Sequence, residues 1–229
     1  MPRFRAICFD LFNTLVSVGQ VPEQVGRFTA DILGIDHDVW NEACFGPHHE
    51  ICLPTDHLEV IRNLAHSIDP TISHDLIEQA MTERQRRFDH ALLNVEKEIL
   101  DSLYELKRAG YRLGLISNAS TGEVLAWQQS RLAGLFELPV FSCDCGMKKP
   151  DVSIYLHALE GLDVDAKECV YVGDGGSHEF HGASAAGMHT ILTKQFLKPE
   201  RHQRVLREQA GSIRGEIDHI RHLLKQLAV

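Results

Sequence analysis

No apolar run in this chain approaches the length needed to cross a bilayer, and no excess of basic residues marks it for an anionic surface. Lysine and arginine number 23 against 32 acidic residues, a formal net charge of -9. That balance argues against nucleic acid and membrane partners. The six cysteines (Cys8, Cys44, Cys52, Cys143, Cys145 and Cys169) are scattered along the chain. Cys143 and Cys145 are one residue too close for a CxxC pair, and no second pair completes a zinc site. Cys8 and Cys169 lie inside apolar runs and read as reduced core thiols. Low-complexity linkers and internal repeats are also missing. In "MPRFRAICFDLFNTLV" basic residues precede apolar ones, but Asp10 and Asn13 interrupt the run and no small-residue cleavage site follows. A buried strand in a cytoplasmic protein is expected there.

What remains is a chain of 229 residues with 44% hydrophobic and 24% charged side chains, enough for one large domain or for a main domain with an insertion. Strand-like apolar runs recur at "AICFDLF", "YRLGLISN", "LPVFS", "ECVYVGD" and "HTILT". Helical patterns lie between the later ones, at Thr121 to Ala133, Ser153 to Leu159 and His178 to Ala186. This alternation predicts a parallel sheet with helices on both faces, and ligands bind such sheets beyond the carboxyl ends of the strands. Asp10, Ser117-Asn118 and Gly173-Asp174 close three of the runs, so they are expected along one sheet edge.

Between Gly19 and Val95 the alternation stops, and helices are expected at Glu23 to Leu33, Val39 to Cys44, Asp56 to Ser67 and Ser73 to about Leu92. A helical insertion directly after the first strand would cover the same edge as a lid. Apolar positions Ile99, Leu100, Leu103 and Leu106 then predict another helix, stopped at Gly110. Pro199 to Val229 reads as helical surface cover.

Individually the polar positions have ordinary explanations. Asp10 could cap a backbone amide, and Ser117 could satisfy a turn. Ser120 with Glu123 has the spacing of a capping box. Lys149, before Pro150, would be a solvated charge if it stood alone. In "VGDGGSHEFHGASAAG", Asp174 and Glu179 flank a glycine-rich turn, a pairing suited to a hard cation, and Gly182-Ala183 permits close helix packing.

In this order, "FDLFNTL", "LISN", "KKP" and "GDGGSHE" resemble the four motifs of the haloacid dehalogenase superfamily of hydrolases, and the resemblance spans essentially the whole chain. It implies a Rossmann-like, doubly wound parallel sheet (residues 1–18 and 94–229) with an inserted all-helical cap (residues 19–93). It further implies magnesium-dependent phosphotransfer through an aspartyl intermediate on a small phosphorylated substrate, in a monomer or homodimer. Under the resemblance Asp10 is the nucleophile, Thr14 positions its loop, and Ser117, with Asn118 beside it, binds phosphate. Lys149 neutralises nucleophile and phosphate. Asp10, Asp174 and the backbone carbonyl of Phe12 would hold Mg2+, and Glu179 would ligate it or hold Lys149.

Phe12 departs from the pattern, because phosphatases of the superfamily usually carry an aspartate there as general acid and base. Dehalogenases, which expel halide without a proton, commonly have an aromatic residue at that position, and Tyr155 also fits their third motif. Halogenated acids are therefore the alternative substrates, and a non-catalytic binding protein is a third reading. His48, His49 and His57 are substitute acids by residue type, though expected at the surface. Arg84, Arg86 and Arg87 are expected on a solvated helix face.

Overall fold

The computed structural model describes residues 4–227. Ala6–Phe9 form β1, and every side chain in it is buried. The chain then makes a helical excursion through α1 (Thr29–Leu33), α2 (His37–Cys44), α3 (His57–Ile68) and α4 (His74–Leu93). It returns through α5 (Lys97–Arg108) to β2 (Arg112–Ser117), β3 (Leu138–Phe141), α6 (Ser142–Cys145) and α7 (Val152–Gly161). β4 (Cys169–Gly173), α8 (Glu179–Ala185), β5 (His189–Thr193), α9 (Pro199–Gln209), β6 (Gly215–Ile217) and α10 (Leu223–Leu227) complete it. The six strands form one parallel sheet in the order β3-β2-β1-β4-β5-β6.

Strand side chains alternate between two cores, as a sheet covered on both faces requires. Ile7, Phe9, Leu113, Leu115, Val170 and Val172 pack with Ile99, Leu103 and Leu106 of α5. Ala6, Cys8, Ile116 and Tyr171 pack with Ile154 and Ala158 of α7 and Phe180 of α8. The excursion has its own core, in which Ala30, Leu33 and Trp40 meet Val60, Ile61, Leu64, Ile77 and Ala80. Its helices start at side-chain caps: Asp36 accepts from the Asp38 and Val39 amides, Asp56 from Glu59 and Ser73 from Leu76. The protein is thus a Rossmann-like sheet carrying an all-helical insertion after its first strand. Among the described residues no helix is long and apolar enough to cross a membrane.

Three segments differ from expectation. The helix expected from Glu23 begins only at Thr29, because side chains of α4 take the preceding backbone groups: Arg87 donates to the Gly26 carbonyl (2.6 Å) and Glu83 accepts from the Arg27 amide (3.1 Å). Thr121 to Ala133 is not one helix but two 3-10 turns, Gly122–Val124 and Trp127–Gln129, with Ser130 extended. Here Gln85 of α4 donates to the Gly122 carbonyl at 2.9 Å, and the Ser130 hydroxyl donates to the Leu92 carbonyl at 2.6 Å. Pro199 to Val229, whose last two residues lie outside those described, contains strand β6 between two helices. Three residues are too few to show a period, and β6 exists because β5 offers it a partner edge.

Candidate active site

Phe9 is in register with both Leu115 and Val172, so β1, β2 and β4 carry their carboxyl ends to one sheet edge, β2 running two residues and β4 one residue beyond β1. The Asp10 amide donates to the Val172 carbonyl at 2.9 Å, which fixes the first residue past β1. Its carboxylate takes Lys149 Nζ on Oδ1 at 2.5 Å and the Thr14 hydroxyl on Oδ2 at 2.9 Å. Lys149 Nζ also donates to Glu179 Oε2 at 2.7 Å. The relative exposures are 5% for Asp10, 4% for Lys149, 2% for Asp174 and 0% for Glu179, so these charges interact in a water-poor site, not at a solvated surface.

Local structure builds each contact. Lys149 is held by its backbone: its amide donates to Asn118 Oδ1 (2.8 Å), and its carbonyl accepts from Asn118 Nδ2 (2.9 Å). Asn118, expected beside the phosphate-binding hydroxyl, therefore braces the lysine with both ends of its amide. The Ser117 hydroxyl is buried without a partner, an acceptor and donor left over at the strand end. Glu179 receives Tyr171 OH on Oε2 (2.7 Å) and the Gly175 amide on Oε1 (2.8 Å). A Cβ at Gly173 would stand 2.1 Å from Glu179 Oε1, so only glycine leaves room for this carboxylate. At Gly182 an added Cβ would meet the Pro150 carbonyl at 2.2 Å, in keeping with the close packing expected there. Tyr155 OH donates to the Glu179 carbonyl at 2.8 Å, which ties α7 to α8.

Asp174 has a separate cation. Its Oδ1 accepts the Gly176 amide at 2.8 Å, and its Oδ2 meets Arg201 Nη2 of α9 at 2.8 Å. Tyr171 and Arg201 are the two residues that sequence reasoning missed. A phenol inside an apolar strand ending in Gly-Asp was a signal for Tyr171, whereas nothing local distinguishes Arg201 from its exposed neighbours.

Burial by itself would lower the Lys149 ammonium, but Asp10 and Glu179 outweigh it and hold the group above the usual lysine value. Burial pushes the Glu179 carboxyl up to about 7; Lys149 pulls against this, while Asp10 and Asp174 add to it. Burial also raises Asp174, opposed by Arg201 and assisted by Asp10. Three carboxylates against two cations leave the cluster one cation short. Oxygens of Asp10, Asp174 and Glu179 lie within 4.8 Å of one another, an all-oxygen donor set that fits a hard divalent cation such as magnesium. Asp10 and Asp174 are the better-placed pair, since Glu179 already serves Lys149, Tyr171 and Gly175.

Phe12 points its ring edge-on to Phe88 of α4, with centroids 5.2 Å apart, and the Arg84 guanidinium lies 4.5 Å over Phe88. The position usually given to a general acid is therefore an apolar contact between sheet and insertion. Arg84 continues this seam by pairing with buried Glu123 at 2.5 Å, and His49 Nε2 lies 3.5 Å from the same carboxylate. Three surface expectations are corrected here. Arg84 and Arg87 do not form a solvated face: Arg87 is buried on the Gly26 and Val18 carbonyls, and only Arg86 remains exposed, beside Glu83. His49 Nδ1–H donates to the Cys44 carbonyl (2.8 Å), and both ring nitrogens of His57 are buried without partners against Gly122. His48 alone of the three is at the surface. The Ser120-Glu123 box is half formed: Glu123 accepts the Ser120 amide (2.9 Å), but the Ser120 hydroxyl bonds nothing.

Burial would raise the Glu123 carboxyl, yet His49, Arg84 and the Ser120 amide bring it below its ordinary value of 4.5. A depressed carboxyl contributes stability above the unfolded value and loses it as pH falls through the folded one. We expect wild-type protein to lose stability on acidification below about 4.5, and Glu123→Gln to lose it with a shallower slope. Urea unfolding at a series of pH values measures both slopes, and parallel slopes would refute this role for Glu123.

A family model described as haloacid dehalogenase-like hydrolase matches residues 48–193. The chain belongs to the haloacid dehalogenase-like hydrolases. A glyceraldehyde 3-phosphate phosphatase of Methanopyrus kandleri is 24% identical over 234 residues, covering 96% of this chain and 99% of its own. CbbY from Rhodobacter sphaeroides, solved in complex with phosphate, is 23% identical with a TM-score of 0.66 and full coverage of both chains at 100%. An L-2-haloacid dehalogenase superposes with a TM-score of 0.67 at 18% identity, over 99% of each chain. The two structures share this fold, and the hydrolase family supplies the class of reaction.

Proposed function

We propose that this hydrolase is a magnesium-assisted phosphatase acting on a small phosphorylated metabolite, with residues 1–18 and 94–229 as its core and 19–93 as its cap. The observation that carries the reading is the Asp10 carboxylate, buried at the sheet edge between Lys149 and Thr14, with the unpartnered Ser117 hydroxyl ending the neighbouring strand. The Methanopyrus relative, named for a phosphomonoester substrate, supports the same class. Asp10 attacks phosphorus, the leaving oxygen departs with the P–O electron pair, and water then cleaves the aspartyl phosphate to release phosphate and regenerate the carboxylate. Lys149 neutralises charge between two anions that otherwise repel, and the Ser117 hydroxyl donates to a phosphate oxygen. Asp10 and Asp174, with the Phe12 carbonyl as a further ligand, would hold a divalent cation, which would supply additional positive charge at the transferring group.

Phosphate release from a panel of small phosphate esters, with magnesium and with a chelator, tests the reading. Metal-dependent release supports it, and no turnover across the panel sinks it. Phe12 keeps halide displacement from 2-haloacids as a second reading, which chloride release in the presence of chelator would establish. Phe12 also sets a direction for engineering. Phe12→Asp should raise phosphatase turnover by about a hundredfold to ten-thousandfold, because it restores proton transfer to the leaving oxygen. The same change removes the Phe88 contact and lowers stability by about 1–3 kcal/mol, measurable by chemical denaturation.

A further inference from the structure

Lys149 is shared by Asp10 and Glu179, so the third buried carboxylate, Asp174, depends on Arg201. The two cations are held differently. The Lys149 side chain is 3% exposed and enclosed on all sides, whereas that of Arg201 is 30% exposed and reaches Asp174 from solvent. The helix that carries it is fixed to the loop beneath: Gln209 donates to the Gly175 carbonyl (2.8 Å) and accepts the Phe180 amide (3.1 Å), and Val205 fills the space over Gly175. The guanidinium is therefore the movable part of an otherwise anchored arm.

We propose that Arg201 is a built-in counter-cation that competes with the divalent ion for Asp174 and keeps its binding weak and reversible. This inference rests on reading Asp174 as a metal residue. Both Asp174 oxygens already accept a hydrogen bond. Each retains a lone pair, so a divalent ion is not excluded, but it must bind beside a fixed positive charge or drive that charge into solvent. Without metal the site is then one cation short, where without Arg201 three buried carboxylates would face one lysine.

Calorimetric titration of the full chain with Mn2+ or Mg2+ in low salt tests this without reference to activity. Arg201→Gln should bind the ion about tenfold or more tightly than wild type, and Arg201→Lys, which keeps the charge, should stay near the wild-type value. A purely structural role predicts the opposite sign, so unchanged or weaker binding by Arg201→Gln overturns the proposal. Asp174→Asn separates the two levels. If it abolishes binding while Arg201→Gln has no effect, only the competition fails; if it leaves binding intact, the metal reading fails with it. Should Arg201→Gln not fold, the Arg201 Nε–H resonance of wild-type protein decides: it should shift on titration with Mg2+, and a resonance that stays put at saturation overturns the proposal.

Discussion

Asp10→Asn should reduce phosphate release by at least about 10,000-fold while leaving the protein folded with a melting temperature equal to or above wild type. Loss of the nucleophile accounts for the first effect, since no other carboxylate of the cluster is free of a structural task. The second follows from charge. Asp10, Asp174 and Glu179 outnumber Lys149 and Arg201 in a site nearly closed to water, so neutralising Asp10 removes uncompensated repulsion. Asparagine occupies nearly the same volume and can still accept from Thr14. Turnover of an aryl phosphate together with a thermal melt examines both halves. A variant that loses activity by unfolding would contradict the charge argument, and one that keeps activity would remove Asp10 from the nucleophile's role.

Lys149→Met should be the most destabilising change in the site, costing about 3–5 kcal/mol at neutral pH. It leaves Asp10 and Glu179 buried without their shared partner and removes the hydrogen bond that Lys149 donates to the Tyr171 hydroxyl. The sign with pH is definite. Burial already raises the Glu179 carboxyl against the pull of Lys149, and without that cation it rises further, so the folded state prefers it protonated. Stability of the variant is then retained in acid and lost as pH rises through the raised value, so the gap from wild type should narrow toward pH 5 and widen toward pH 8. Phosphate release should fall at least about a hundredfold at every pH, because the buried side-chain cation paired with the nucleophile is lost. Denaturant unfolding across this range, compared with wild type, would refute the account if the gap were constant.

Much of this site was legible in the chain because its parts end strands. Asp10, Ser117 and Asp174 each follow an apolar run, and parallel strands carry their carboxyl ends to one edge. The helical insertion was visible as a break in strand-helix alternation, and Asp36, Asp56 and Ser73 mark helix starts that local capping chemistry explains. Where expectation and structure part, a distant side chain has taken backbone groups or charges that local rules would have assigned otherwise. Arg87 and Glu83 hold residues before Thr29 out of a helix, and Gln85 holds Gly122 in a 3-10 turn. Arg84 and Arg87, polar by composition, are interior because carbonyls and Glu123 meet them there.

The sequence by itself determined the family, the parallel sheet, the helical insertion and the line of polar residues at the strand ends, since periodicity and motif order are properties of short stretches. Only the tertiary structure decided which cation serves which carboxylate, what Phe12 touches, and that Asn118 serves Lys149. The physical reason is range. A strand end or a helix cap is set within a few residues, whereas the Arg201–Asp174 pair joins residues 27 positions apart and Lys149–Asp10 joins residues 139 apart. Those pairings exist only after packing of helices and strands has brought the charges into one dry edge.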